Sequence, residues 1–165
     1  MLPSHLCFVA DAYRQLGRAE EGLATIAEAV LLMETSANVW WAAEVYRLKG
    51  ELLLTATGQS TTSRSTGRSQ SSAGRDTSAV ASSQYPVSRT PAEAEECLHQ
   101  ALGIARQQEA KSLELRAATS LSRLWRREGK AEQAHRLLTD IYGWFTEGFD
   151  TADLRDARAE LDQTL

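Results

Sequence analysis

Ser122-Arg-Leu-Trp-Arg-Arg-Glu-Gly-Lys-Ala-Glu-Gln-Ala-His-Arg-Leu-Leu-Thr-Asp-Ile141 carries the plan of the fold. After Gly129, Ala134, Leu137, Leu138, Ile141, Tyr142 and Phe145 recur at three- and four-residue steps, the period of a helix with one apolar face. Gly129 stands where a left-handed helix end favours glycine, so the stretch reads as two helices joined by a tight turn. Inside it, Ser122-x2-Trp125 sets a small residue ahead of a large one, and Ala134-x3-Leu138-x2-Ile141 sets small, large and apolar positions in order.

The same spacings return elsewhere. Ala10-x2-Tyr13 and Gly50-x2-Leu53 repeat the first pattern, and Gly22-x3-Ile26-x2-Ala29 and Ala94-x3-Leu98-x2-Ala101 repeat the second. Ala10 to Gly50 and Ala94 to Ala134 are both 40 residues, whereas Tyr13 to Trp125 is 112, so the middle unit holds 32 extra residues. Composition locates that excess independently. Between Gly58 and Thr90, 15 of 33 residues are Ser or Thr, and the sizeable apolar side chains are only Val80, Tyr85 and Val87. Such a segment buries too little to offset its ordering entropy and reads as a disordered insert.

This pattern resembles the tetratricopeptide repeat (TPR), in which small residues let paired helices approach closely. A period of 40 exceeds the usual ~34 and points to the longer, divergent TPRs of bacterial regulators. The expected architecture is all-α: a helical-hairpin solenoid of about three repeats in a single domain spanning 1–165. Repeat 1 covers about 3–36, repeat 2 about 37–109 with the insert at 58–90, repeat 3 about 111–146, and a capping helix 151–163. Helices are expected at roughly 5–17, 19–34, 37–57, 91–109, 111–128, 131–146 and 151–163. A plain bundle closed around one core is the alternative. Thr90-Pro-Ala-Glu93 supplies a strong helix start, with Thr90 as cap, Pro91 at the first position and Glu93 completing a capping box.

A closer resemblance rests on four stretches: Glu44 to Leu54, Ala94 to Arg106, Ala110 to Trp125, and Tyr142-Gly-Trp-Phe-Thr-Glu-Gly-Phe-Asp-Thr-Ala-Asp-Leu154. Together they resemble the extreme C-terminal TPR region of large bacterial proteins. Those proteins combine an adenylate/guanylate-cyclase-type domain, or a DNA-binding transcriptional activator domain, with a predicted ATPase. The resemblance implies a sensory or assembly role without catalysis. Its alternatives are an accessory subunit or detached fragment of such a regulator, or a nucleic-acid-associated regulator.

Composition and motifs narrow the chemistry. Eighteen basic against 22 acidic residues give a net charge of −4. The insert carries Arg64, Arg68, Arg75 and Arg89 against Asp76, leaving 14 basic and 21 acidic residues on the body, which opposes a dedicated nucleic-acid surface. No apolar run is long enough to span a membrane, and the opening Met1-Leu-Pro-Ser-His lacks a signal-peptide pattern. Cys7 and Cys97 lack CxxC spacing, which fits the cytoplasm. No phosphate-loop or nucleophile-elbow motif occurs, and His5, His99 and His135 have no metal-ligand spacing. No catalytic residue, metal or cofactor is therefore expected.

In a TPR the first helices of the pairs line a concave groove, so the resemblance implies that the working surface is the face they make. Arg116, Thr119, Arg123, Arg126 and Arg127 represent the third pair there, Glu44, Arg47 and Glu51 the second, and Asp11 and Arg14 the first. Arg116, Arg123 and Arg127 fall at steps of seven and four and share one helix face. Guanidinium groups so placed suit an acidic protein or peptide partner; the alternative is that they pair with acids of neighbouring helices. Trp40-Trp41 and Trp144-Phe145, taken as helical neighbours about 100° apart, should each place one ring on another repeat or chain. The first helix lacks a cap, which leaves its outer side for a partner or a second copy.

Overall fold

The computed structural model describes residues 3–36, 39–64 and 90–164. Seven helices follow in order: α1 (Pro3–Gln15), α2 (Ala19–Ser36), α3 (Ala42–Arg64), α4 (Pro91–Gln107), α5 (Lys111–Arg127), α6 (Ala131–Tyr142) and α7 (Ala152–Gln163). No strand occurs among the described residues. The helices pack in sequential pairs, α1 with α2, α3 with α4, and α5 with α6. Each even helix also touches the odd helix that follows it, and the odd helices touch one another in order from α1 to α7. Among the described residues, α1 makes no contact with α5.

Local chemistry sets the turns. At Gly17 (φ 70°) and Gly129 (φ 78°) the chain enters the left-handed region. Arg18 N–H reaches back to Tyr13 O at 2.9 Å, and Lys130 N–H to Trp125 O at 2.8 Å, closing both helix ends in the same way. The end of α4 uses this geometry without a glycine: Glu109 sits at φ 54° while Ala110 N–H bonds Ala105 O at 2.9 Å. At α4's other end the Thr90 hydroxyl accepts from Glu93 N–H at 3.2 Å, the forward half of the expected box.

Small residues set the spacing within pairs. A methyl group on Gly50 would lie 2.9 Å from Leu98 Cγ and 3.0 Å from the Ala94 carbonyl oxygen, so α3 and α4 meet almost backbone to backbone. At the equivalent place in the next pair, Ser122 Oγ donates to the Ala134 carbonyl at 3.2 Å. The core divides accordingly. One cluster joins Leu6, Ile26, Met33, Leu48 and Leu52, a small one Leu53, Ala94 and Cys97, and a third Leu98, Leu115, Leu121, Leu138, Leu154 and Leu161. Through Leu154, Ala157 and Leu161, α7 covers α5 and α6.

Three boundaries depart from expectation. Helix α3 begins at Ala42 rather than near 37, because Val39, Trp40 and Trp41 form a turn closed by Ala42 N–H on Val39 O at 3.0 Å. Its last turns run on to Arg64, so residues 58–64 of the supposed disordered insert are helical; the rest of that insert, 65–89, lies outside the described residues. Hydroxyls need not break a helix when they bond back to their own turn. Thr55 does so to Glu51 O at 2.9 Å and Thr57 to Leu53 O at 2.8 Å. Helix α6 stops at Tyr142, at Gly143, and Trp144 and Phe145 lie in the connection to α7. Neither aromatic pair is therefore helical, so the ~100° step between helical neighbours does not set the directions of their rings. Trp40 is exposed, Phe145 packs on the core, and the Trp144 ring carries Lys111 Nζ 4.4 Å from its centre.

Two substitutions test these local rules. Glu109→Gly should raise stability by about 1 kcal/mol by relieving a left-handed residue with a Cβ. Gly50→Ala should lower it, since overpacking at ~1–3 kcal/mol outweighs a helix gain of ~0.5–1 kcal/mol. Opposite shifts in the midpoint of urea unfolding are expected.

Candidate functional site: the groove of the odd-numbered helices

The odd helices bring their polar faces together. A groove of about 130 Å³ is lined from α1 by Asp11 and Arg14 and from α3 by Arg47 and Glu51. Arg116, Thr119, Ser120 and Arg123 line it from α5, and Asp153 and Asp156 from α7. A second hollow of about 310 Å³ continues it over Leu54 and Leu124, rimmed by Arg14, Arg123 and Arg127. Seven of the ten expected residues thus line the first groove, and Arg127 joins at the second. Glu44 and Arg126 line neither.

Arg47 is the centre of the network and is almost wholly buried. It donates to both oxygens of Glu44, at 2.9 and 2.7 Å, and to Glu51 Oε1 at 2.9 Å. Burial alone would lower the affinity of this guanidinium for its proton, but hydrogen bonds to Glu44 and the charges of Glu51, Glu44 and Asp11 reverse that and hold it above its usual range. Glu51 also takes Arg14 Nε at 3.1 Å and the Ser120 hydroxyl at 2.6 Å. Burial pushes the Glu51 carboxyl up; Arg47, the Ser120 hydrogen bond, Arg14 and Arg123 pull it further down, so it lies below the usual range. Asp11 is likewise lowered: burial raises it, and its bonds to Arg14 and Gln15 prevail.

The remaining arginines are matched mostly from α7. Arg116 meets Glu44 at 3.2 Å and Asp153 at 3.4 Å. Arg123 meets Asp156 at 3.5 Å and Glu160 at 3.7 Å, while Arg126 Nε holds the buried Glu160 at 2.6 Å. Pairing with acids of neighbouring helices, the alternative in the sequence, is what the structure shows for Arg14, Arg116, Arg123 and Arg126, whereas Arg47 pairs with Glu44 and Glu51 of its own helix. Exposed Arg127 has no ion pair among the described residues. Thr119 is buried and spends its hydroxyl on Leu115 O at 2.8 Å.

Sequence reasoning missed Ser120 and the α7 acids. Asp153, Asp156 and Glu160 follow steps of three and four, and Arg116 and Arg123 each lie 37 residues before Asp153 and Glu160. That constant offset is the register of two parallel helices and was available as a signal. Elsewhere the chemistry is quiet. Burial, with Glu44, pushes the Cys7 thiol up to about 12 against the pull of Arg47 and Arg116, which leaves no thiolate nucleophile near neutral pH. Burial also raises Cys97. His99 packs against Trp125 with the rings tilted at 55° and their centres 5.7 Å apart, and His135 Nδ1 lies 3.0 Å from Thr164 Oγ1. Among the described residues no three His, Cys, Asp or Glu are grouped to hold a metal, and no helix is long and apolar enough to cross a membrane.

No family model, curated protein or solved structure matches the chain.

The network makes stability acid-sensitive in a defined direction. Carboxyls with lowered folded-state pKa stabilise above their unfolded value of ~4.3 for Glu, and that contribution disappears as pH falls through the folded value. The melting temperature should drop as pH falls below about 4.5. Glu51→Gln should cost ~1.5–3 kcal/mol at pH 7, the range for hydrogen bonds to charged groups, and flatten the acid limb. An unchanged acid limb in this variant would remove Glu51 from the account.

Proposed function

We propose that this chain is a TPR-like protein-interaction module, without catalysis of its own, serving as the sensory or assembly portion of a bacterial signalling or transcription regulator. One observation carries the reading: helices paired in sequence turn the same side of every odd-numbered helix toward a common groove. Stacked helix pairs use such faces to bind extended segments of other proteins. The groove's acids already balance most of its arginines, which weakens the nucleic-acid alternative, since phosphate binding requires uncompensated positive charge.

Photo-crosslinking residues placed singly at Arg123, Arg127 and, as a control on the opposite side of the second helix of a pair, Gln133 test this in cells. The reading expects one protein adduct at Arg123 and Arg127 and none at Gln133. Equal adducts at all three positions would overturn it.

A second contact surface is proposed on the outer side of α1. Phe8 and Leu16 are 70% and 71% exposed, whereas their counterparts 40 residues on, Leu48 and Ala56, are 1% and 5% exposed. In α3 those positions belong to the cluster that α2 helps to close. Self-association through this face should appear as concentration-dependent sedimentation that Phe8→Glu/Leu16→Glu abolishes. A wild-type chain that stays monomeric at high concentration would contradict it.

A further inference from the structure

The two parts of the groove differ in charge. The part around Arg47 is lined by four arginines and four carboxylates, Asp11, Glu51, Asp153 and Asp156, and is balanced. The part over Leu54 and Leu124 is lined by Arg14, Arg123 and Arg127 against Glu51 alone. Its cations are also unequally engaged. Arg14 is held by Asp11 at 2.8 Å and Glu51 at 3.1 Å. Arg123 has only long contacts, to Asp156, itself 68% exposed, and to Glu160, which is already committed to Arg126 at 2.6 Å. Arg127 has no carboxylate partner among the described residues.

From this contrast we infer that the ligand seat is the Leu54–Leu124 end of the groove, and that it takes a peptide segment with an apolar side chain next to a carboxylate. The inference rests on the interaction-module reading and names the ligand class for the same face. The apolar side chain covers half-buried Leu54, beside Leu124, which is 3% exposed and forms the floor. The neighbouring carboxylate bridges Arg123 and Arg127, and guanidinium geometry favours a bidentate contact there. Asp156 is the carboxylate that the ligand displaces: it is mostly in water and 3.5 Å from Arg123, so its release costs little. Glu160, buried and tightly bonded to Arg126, stays in place and keeps α7 seated. Asp156 thereby sets affinity by competing for Arg123.

The test titrates isotope-labelled full-length protein with three capped peptides: acetyl-Gly-Glu-Leu-Glu-Gly-amide, its Lys-Leu-Lys counterpart and its Gln-Leu-Gln counterpart. A short single-stranded oligonucleotide is a fourth arm. Methyl signals of Leu54 and Leu124 and side-chain signals of Arg123 and Arg127 are followed. The acidic peptide should move these signals. Arg127→Ala, an exposed site whose fold is checked by helicity, should weaken its binding roughly tenfold, and Asp156→Asn should strengthen it. Binding of the basic or neutral peptide along the groove, or of the acidic one beside Arg47 and Arg116, would overturn the inference and leave the module reading standing. An oligonucleotide response at Leu54 and Leu124 without a peptide response would overturn both. So would no response on the groove from any ligand.

Discussion

Glu51 is shared by three helices. Its two oxygens take Arg47 from its own helix at 2.9 Å, Arg14 from α1 at 3.1 Å and the Ser120 hydroxyl from α5 at 2.6 Å. A buried carboxylate is costly unless such partners are fixed in place. That requirement aligns α1, α3 and α5 in one register, because any slip between them leaves a buried charge without its partner. Apolar packing holds the pairs together, but it does not by itself dictate which faces of successive pairs meet. The polar seam supplies that constraint.

The groove follows from the same seam. Once the odd helices are aligned, their remaining charged residues crowd onto one side, and α7 contributes Asp153, Asp156 and Glu160 to balance them. The pairs range from the buried Arg47–Glu44 contact at 2.7 Å to the solvent-washed Arg123–Asp156 contact at 3.5 Å. Buried pairs specify structure and exposed ones exchange readily. A groove with a rigid floor and an exchangeable rim is the physical result.

Much of this was legible in the residues. Gly17 and Gly129 marked turns because a left-handed helix end selects glycine, and Gly50, Ala94, Ser122 and Ala134 marked close approach because nothing larger fits. The turn after α4 falls at the break expected between 91–109 and 111–128, although Glu109 takes the left-handed state there without a glycine. Trp40 and Trp41 were misread as helical because bulky apolar residues next to a periodic run carry no stop signal. The reach of α3 to Arg64 was obscured by a serine- and threonine-rich composition, which reads as loop. The arginines of the groove were placed by the TPR resemblance together with helix periodicity. Their partners were not, because ion pairing between helices depends on a register that only the packed structure fixes.

Distances between spin labels at Gln15, Thr55 and Arg127, equivalent positions on α1, α3 and α5, test the alignment most directly. Successive odd helices laid side by side predict a Gln15–Arg127 distance approaching the sum of Gln15–Thr55 and Thr55–Arg127. Three nearly equal distances would mean helices gathered around one common centre, and would contradict the account.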